Sequence, residues 1–303
     1  MTSMVKMLKN KKGAVNIIVI IGLIGILGSL ALVIDVGFLF LEKSKLSNAA
    51  DAAVLAGAQE LPFDKNEAIN IANHYGEVNG ASLNKINIVI TEGNSKIEAN
   101  INNDVVFAFS KILGFDKANV MVSSAAMVGP VTEVYDGIRP LVVEHQSFIY
   151  GQRVILKEGA GDGYKGNYGA VALGGSGANV YRNNIKLGYN GKLKIGDIIY
   201  TEPGNMSGPT VQGVEYITDR DNSNFNNFAR DSLRIWTIPV VESLQVNGRK
   251  PVVIVGFAVF FLEDAKKKSG KTEITGRFIE FVTNGDIDTG QSDYGLKGVK
   301  LIK

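Results

Sequence analysis

Two acidic segments are the first candidates for chemistry, because closely spaced carboxylate oxygens are ligands that Ca²⁺ binds well. Asp219 and Asp221 occupy alternate positions in DRDNSNF, and Asp286 and Asp288 do so in NGDIDTGQSD. The first segment lacks the glycine that a calcium loop has at its sixth position, and Arg230 stands at the twelfth, where a glutamate belongs. We predict that these aspartates cap turns or face solvent, with an irregular calcium site as the alternative.

The chain has two histidines, His74 and His145, which limits acid–base and nucleophilic catalysis. A Ser-His-Asp triad would need His145 together with a serine such as Ser176 or Ser207. Ser176 lies in GGSG, which is shifted by one residue from the G-x-S-x-G motif of a nucleophile elbow. These residues favour a glycine turn and a surface histidine over a catalytic triad.

The segment KIGDII, residues 194–199, resembles the L-x-x-GD-I-V turn of Ser/Lys peptidase barrels and of self-splicing barrels. Those chemistries need a nucleophilic serine with a desolvated lysine, or a Cys or Ser at a splice point. We find no convincing partner and predict a tight turn between strands. The chain also lacks a P-loop, a dinucleotide fingerprint and an H-E-x-x-H motif. We therefore expect no cofactor and no enzymatic activity.

Composition narrows the function classes further. The 303 residues include no cysteine, which excludes disulfides, thiolate zinc sites and cysteine nucleophiles. Four lysines fall within the first twelve residues, so the net charge of +2 leaves −2 for the remainder. A mildly acidic body gives no electrostatic reason to expect nucleic-acid binding. Hydrophobic residues make up 45% of the chain, which is ample for packed cores.

A continuous apolar segment near the N-terminus predicts a transmembrane helix. It runs from Ala14 to Ile34, and Asn16 and Ser29 are its only polar residues. At helical rise its length is about 30 Å, the thickness of the hydrocarbon core. The lysines that precede it place the N-terminus in the cytoplasm and the body outside.

Two kinds of processing are alternatives to a retained anchor. A cleaved secretory signal usually has a shorter apolar segment, and here a second apolar patch, Phe38–Leu41, follows. A prepilin-type signal would be cut between Gly13 and Ala14, but Ile18 stands where such signals usually carry glutamate. We predict retention, and processing at Gly13 stays open.

Small residues on this helix predict close packing against other helices, and the alternative is that glycine is simply common in membrane helices. Within the membrane they are Gly22, Gly25 and Ser29, and a second set, Ala49, Ala53 and Ala56, follows outside it. An alanine-rich segment without a helix breaker extends the helix to about Leu61, where Pro62 ends it. Asp35 falls at the outer membrane surface, where we expect it to remain unburied.

The segment from Lys12 to Ala58 resembles the N-terminal segment of TadE/TadG-like proteins. Its KKGAV start, its D-x-G at Asp35–Gly37 and its LSNAADAAVLAGA helix follow the order and spacing of that family. The resemblance implies a pseudopilin-like component of the Tad (Flp) pilus machinery, and not a catalyst. It also implies contacts with the membrane and other Tad/Flp pilus components, or a homo-oligomer. The distal region resembles TadG-like exported proteins of Gram-positive bacteria, and we carry over no activity from this resemblance.

The sequence of the body predicts an α+β fold. A helix capped by Asp64 precedes a hairpin of INIVI and KIEANI, then a short apolar helix at Val105–Leu113 and a strand at Asn119–Val128. The distal half has many short strands, including the twelve apolar residues Pro251–Leu262, and one helix at Phe225–Leu233. This density of strands predicts a mostly antiparallel β barrel or sandwich. The expected divisions are a cytoplasmic tail (1–12), the membrane helix with its extension (13–61), a small α-β-β-α-β domain (62–130) and a β-rich extracytoplasmic domain (131–303).

Three functions from different classes follow. The leading one is a non-enzymatic pseudopilin-like subunit or assembly factor of a Tad/Flp-type pilus. The second is an anchored surface adhesion or carbohydrate-binding module, in which Tyr164, Tyr168, Tyr181 and Tyr189 would stack on sugars. The third is a membrane-tethered hydrolase, which the shortage of histidine disfavours.

Overall fold

A computed structural model describes residues 11–157, 168–204, 206–246, 248–268 and 271–302. The α-helices of this part of the chain are α1 (Lys11–Glu60), α2 (Lys65–Val78), α3 (Ala178–Leu187) and α4 (Ser207–Thr218). The strands are β1 (Ile86–Thr91), β2 (Lys96–Val106), β3 (Lys117–Pro130), β4 (Glu133–Val134), β5 (Leu141–Glu144), β6 (Arg153–Lys157), β7 (Tyr168–Ala172), β8 (Leu193–Lys194), β9 (Ile198–Thr201), β10 (Ile235–Val241), β11 (Pro251–Lys268), β12 (Lys271–Ile279), β13 (Phe281–Asn284) and β14 (Leu296–Ile302). The α+β class is confirmed. The tail before residue 11 lies outside the described residues.

The first sheet has the strand order β1-β2-β3-β14-β13 and packs against the second half of α1 and against α2. The predicted hairpin is confirmed, since β1 pairs antiparallel with β2 from Ile86↔Ile101 to Thr91↔Lys96. The predicted cap of α2 is confirmed as well, because the Asp64 carboxylate accepts hydrogen bonds from the backbone of Asn66 and Glu67. At the far end of the chain, β14 pairs with β3. This sheet therefore draws strands from both sides of residue 130, where the sequence suggested a division.

The second sheet closes on itself. Its strand order is β10-β5-β7-β9-β11-β12-β6, and β10 also pairs with β11, so five of these strands form a closed barrel. The long strand β11 contributes alternate side chains to two cores: Phe257, Val259 and Phe261 belong to one, and Ala258 and Phe260 to the other. The predicted barrel is confirmed, as is the prediction that Pro251–Leu262 forms a strand buried on both faces.

Two predicted helices are wrong. Val105 and Val106 continue β2 and pair with the start of β3, so only a 3₁₀ turn, Ser110–Leu113, remains of the helix predicted at Val105–Leu113. The segment Phe225–Leu233 is not helical either. It begins with an Asx turn, in which the Asn226 amide donates to the Asn224 side chain.

The two helices that cover the barrel, α3 and α4, were not predicted from the sequence. In α3, Tyr181 and Ile185 are four residues apart and both buried, so they face the core together. In α4, Pro209 is the third residue, within the first turn, where a missing N–H costs no hydrogen bond. The glycines and proline around these helices resemble turn signals, which is why the pattern favoured loops.

Candidate functional site: the junction of the long helix and the first sheet

The first half of α1 is free of the rest of the described chain. It is long and apolar enough to cross a membrane, and its apolar side chains from Val15 to Ile34 are exposed. A methyl group added at Gly22 or Gly25 would meet no atom within 4 Å. The predicted small face is thus open in this structure, and its packing against another helix stays a prediction.

Ser29 lies on the same face and satisfies its own hydroxyl. Its Oγ donates a hydrogen bond to the Gly25 carbonyl oxygen at 2.9 Å. A hydroxyl bonded to the carbonyl four residues earlier carries little penalty in lipid. Ser29 therefore acts on this face as a small residue whose hydroxyl is already hydrogen-bonded.

The second half of α1 is packed within the chain. Ala49 and Ala53 are fully buried in the core that α1 forms with α2 and the first sheet, and Ala56 is partly buried. At Gly57 the approach is closest. A methyl group there would lie 2.7 Å from the Ala68 carbonyl oxygen and 2.7 Å from Ile97 Cδ1. The alanine face thus packs, but its contacts here are with the chain's own α2 and sheet, which leaves no open surface at Ala49 and Ala53 for a partner.

Strand β2 runs alongside α1 in the opposite direction. Ile97 approaches Gly57 at one end, the Asn103 side chain donates to Glu42 Oε1 at 2.7 Å midway, and Ala108 reaches Asp35. From Gly57 back to Asp35 the helix covers about 33 Å, and the chain from Ile97 through β2 to Ala108 covers about 36 Å at the rise of a strand. The two lengths agree, so the hairpin between β2 and β3 returns to the point where the apolar segment ends.

Asp35 fixes this hairpin to the helix. Its carboxylate accepts backbone N–H groups from Ala108 at 2.9 Å, Phe109 at 3.1 Å and Ser110 at 2.6 Å. Only 1% of Asp35 is exposed, so the prediction that it remains unburied is wrong. Burial alone would raise the pKa of Asp35, but the hydrogen bonds from Ser110, Ala108 and Phe109 outweigh it and hold the pKa below its usual value. The covering hairpin thus replaces the water that would hydrate an exposed carboxylate with three backbone amides.

Gly37, two residues beyond, has no such role within the chain. A methyl group added there would meet nothing within 4 Å. The two positions of the D-x-G motif therefore differ: the Asp35 carboxylate is bonded to backbone amides of the chain itself, and Gly37 leaves a surface without a side chain on α1.

The aspartates considered for calcium cap turns or pair with lysine. Asp221 accepts hydrogen bonds from the Ser223 amide at 2.8 Å and the Ser232 hydroxyl at 2.6 Å. Burial would raise the pKa of Asp221, but these hydrogen bonds outweigh it and lower the pKa well below its usual value. Asp219 is the C-cap residue that follows Thr218, the last residue of α4.

The second acidic segment is arranged in the same way. Asp288 accepts the Gly290 amide at 2.9 Å, and this bond with one from Gln291 lowers the pKa of Asp288. Asp286 pairs with Lys300 at 3.3 Å. Within the described ranges, no three His, Cys, Asp or Glu side chains are grouped closely enough to hold a metal ion.

The residues considered for catalysis are not brought together. His145 and Ser176 are exposed and Ser207 is buried, and no side-chain hydrogen bond joins His145 to either serine in the part of the chain described here. The predicted turn at 194–199 is confirmed. The Asp197 amide donates to the Lys194 carbonyl at 3.1 Å, and Gly196 supplies a φ of +91°.

The tyrosines considered for sugar stacking do not form an exposed platform. Tyr181 is 2% exposed and Tyr189 packs against the barrel core. Tyr164 and the side chain of Tyr168 lie outside the described residues. The structure thus gives the carbohydrate-binding alternative no surface to act through among the tyrosines it describes.

The helix α1 is also the part of the chain that matches a known family model. Residues 13–60 match the family model described as Tad: Putative Flp pilus-assembly TadE/G-like. The match covers α1 almost from end to end, including Asp35 and the small residues on both halves of the helix. It stops before α2, and the resemblance of the distal region to TadG-like exported proteins of Gram-positive bacteria is not shown. Comparison with curated proteins and with solved structures gives no match.

Proposed function

We propose that the chain is a single-pass, membrane-anchored, non-enzymatic component of a Tad/Flp-type pilus system, pseudopilin-like in its N-terminal helix. The observation that carries this proposal is the family match over α1, the one helix of the described chain whose apolar side chains have no partner within it. An apolar helix about 30 Å long that is left uncovered by its own protein is stable only in lipid or against other helices. The body then lies outside the cell and the N-terminus in the cytoplasm, because the lysines precede the helix.

Topology can be tested with single cysteines, since the natural chain has none. Thr91→Cys is exposed on the first sheet, and Ser3→Cys lies before the membrane helix. A membrane-impermeant maleimide applied to intact, wall-stripped cells should label Thr91→Cys and spare Ser3→Cys until the membrane is opened. The opposite labelling pattern would contradict the proposed orientation.

Assembly is proposed to proceed through the face formed by Gly22, Gly25 and Ser29. At roughly 100° per residue these three positions fall within roughly 60° of one another. Lipid tails already satisfy apolar side chains, so helices in a membrane associate by close contact, which small residues permit. The partner is another Tad/Flp pilus component or a second copy of this chain.

Disulfide crosslinking in native membranes tests that face. Gly25→Cys should crosslink to cysteines placed in a partner helix, or to itself in a homo-oligomer. Leu27→Cys is the matched control, because it lies two residues on, about 200° around the helix, and is likewise exposed. Equal crosslinking of Gly25→Cys and Leu27→Cys, or none of either, would show that the small face makes no specific contact.

A further inference from the structure

The hairpin between β2 and β3 exposes a group of large apolar side chains at its tip. Phe109 is 44% exposed, Ile112 89% and Phe115 61%, and all three lie within the ten residues that join the two strands. Exposed apolar side chains scattered singly are ordinary, but three at one tip form a patch that calls for an apolar partner.

The position of this tip identifies the partner. The tip is bonded to Asp35, the first residue after the apolar segment Ala14–Ile34, through three backbone amides. When α1 spans a bilayer, Asp35 lies at its surface, and so does the hairpin tip that covers Asp35. At the same level α1 itself exposes Phe38 and Phe40, and aromatic side chains are enriched at that depth in membrane proteins.

The tip is also built to hold its shape. The Phe115 amide donates to the Ser110 carbonyl at 3.1 Å, and Gly114 between them takes a φ of +88°, which favours glycine. A tip already ordered in this way loses little conformational freedom when it inserts. Lys111, in the same turn, is exposed and can pair with lipid phosphates.

We propose that the β2–β3 tip inserts Phe109, Ile112 and Phe115 into the surface of the bilayer that α1 spans. The protein then contacts the membrane at two points, the helix and the tip. Because Asp35 joins these points, the body is held at a defined tilt to the membrane and does not swing about a flexible tether. This inference rests on the proposed membrane anchoring of α1.

Spin labels on single cysteines test the inference in the full chain, reconstituted in vesicles of phosphatidylcholine and phosphatidylglycerol. Ile112→Cys places a label at the tip, and its high exposure means that no packing is lost. Thr91→Cys, near the opposite end of the same sheet, is the control for water, and Ile24→Cys is the control for lipid. Collision rates are measured with oxygen, which concentrates in lipid, and with a nickel chelate, which stays in water.

The label at position 112 should collide more with oxygen than with the nickel chelate, as the label at position 24 does, while the label at position 91 shows the reverse. A label at 112 that behaves like the one at 91 overturns the inference and leaves the anchor intact. A label at 112 shielded from both reagents also overturns it, because the tip would then contact protein, including a second copy. A label at 24 found in water overturns the proposed anchoring and this inference with it.

Discussion

Replacing Gly57 by alanine perturbs the closest contact between α1, α2 and the first sheet. The added methyl group would lie 2.7 Å from the Ala68 carbonyl oxygen, 2.7 Å from Ile97 Cδ1 and 2.9 Å from Ala72 Cβ. The Ile97 side chain can rotate away, but the Ala68 oxygen belongs to the backbone of α2 and moves only if the helix moves. Overpacking of this kind costs about 1–3 kcal/mol.

Helix propensity acts in the opposite direction. Alanine is more favourable than glycine inside a helix by roughly 1 kcal/mol, so Gly57→Ala should reduce the free energy of unfolding by about 1 kcal/mol net. Gly37→Ala is the matched control, because it makes the same change in the same helix where the methyl group meets nothing within 4 Å. It should not destabilise the protein.

The assay is urea unfolding of the full chain in mild detergent. Hydrogen exchange of the backbone amides of α2 is a second measurement on the same variants. The unfolding midpoint of Gly57→Ala should fall, and that of Gly37→Ala should stay or rise. If Gly57→Ala proves as stable as the natural chain, α2 does not pack on α1 as closely as the structure places it, and the account of the junction is wrong.

Three further predictions concern the carboxylates. Asp35→Asn should speed hydrogen exchange at Ala108–Ser110, because an amide accepts fewer hydrogen bonds than a carboxylate. Asp51→Asn is the control, because Asp51 accepts the Ser124 hydroxyl and the asparagine oxygen can still do so. Equal exchange in both variants would remove the role given to Asp35. Because folding lowers the pKa of Asp221, its carboxylate stabilises the protein at pH values above the usual aspartate pKa, and this stability is lost as the pH falls. The melting temperature should therefore be flat near neutrality and decline below about pH 4, less steeply in Asp221→Asn. An equally steep decline of the melting temperature in the variant would contradict this role of Asp221. Calcium should leave the melting temperature unchanged, since Asp221 and Asp288 already accept protein hydrogen bonds, and an upward shift would contradict this.

Helix α1 could be predicted from the sequence because its signals are local. The apolar segment of 21 residues, an alanine-rich continuation and Pro62 fix its span without reference to any other part of the chain, and the observed helix ends at Glu60. The buried small positions of its second half follow from the same pattern. The elements that these positions pack against could not be predicted from that pattern, because α2 and the sheet are brought to α1 only by folding.

The hairpin tip and the burial of Asp35 could not be predicted in this way. Val105 and Val106 belong to an apolar run that resembles a short helix, and their strand conformation depends on pairing with Ala118 and Lys117. Asp35 is buried by a hydrogen-bond donor 75 residues further along the chain, Ser110. Tertiary pairing overrode local propensity at both positions.

The barrel shows the same limit. Its strands were visible as alternating or continuous apolar segments, which is why the class could be predicted. Its closure depends on β11 pairing with β9 over its first residues and with β10 further along, and no local signal records that. The short helices α3 and α4 were missed because glycine and proline around them resemble turns.

The most direct test of the account is the amount of assembled pilus on the surface of cells that carry Gly25→Ile. A Cβ atom at position 25 meets no atom within 4 Å outside the local helix backbone, and the larger apolar side chain raises hydrophobicity, so folding and insertion should be unaffected. Leu27→Ile is the control, because it introduces the same side chain about 200° around the helix from position 25. We predict few or no pili when the gene is deleted, a sharp loss with Gly25→Ile and normal pili with Leu27→Ile. Normal pili in the deletion strain, or in Gly25→Ile cells, would contradict the proposal that this chain assembles into a Tad/Flp-type pilus system through the membrane half of α1.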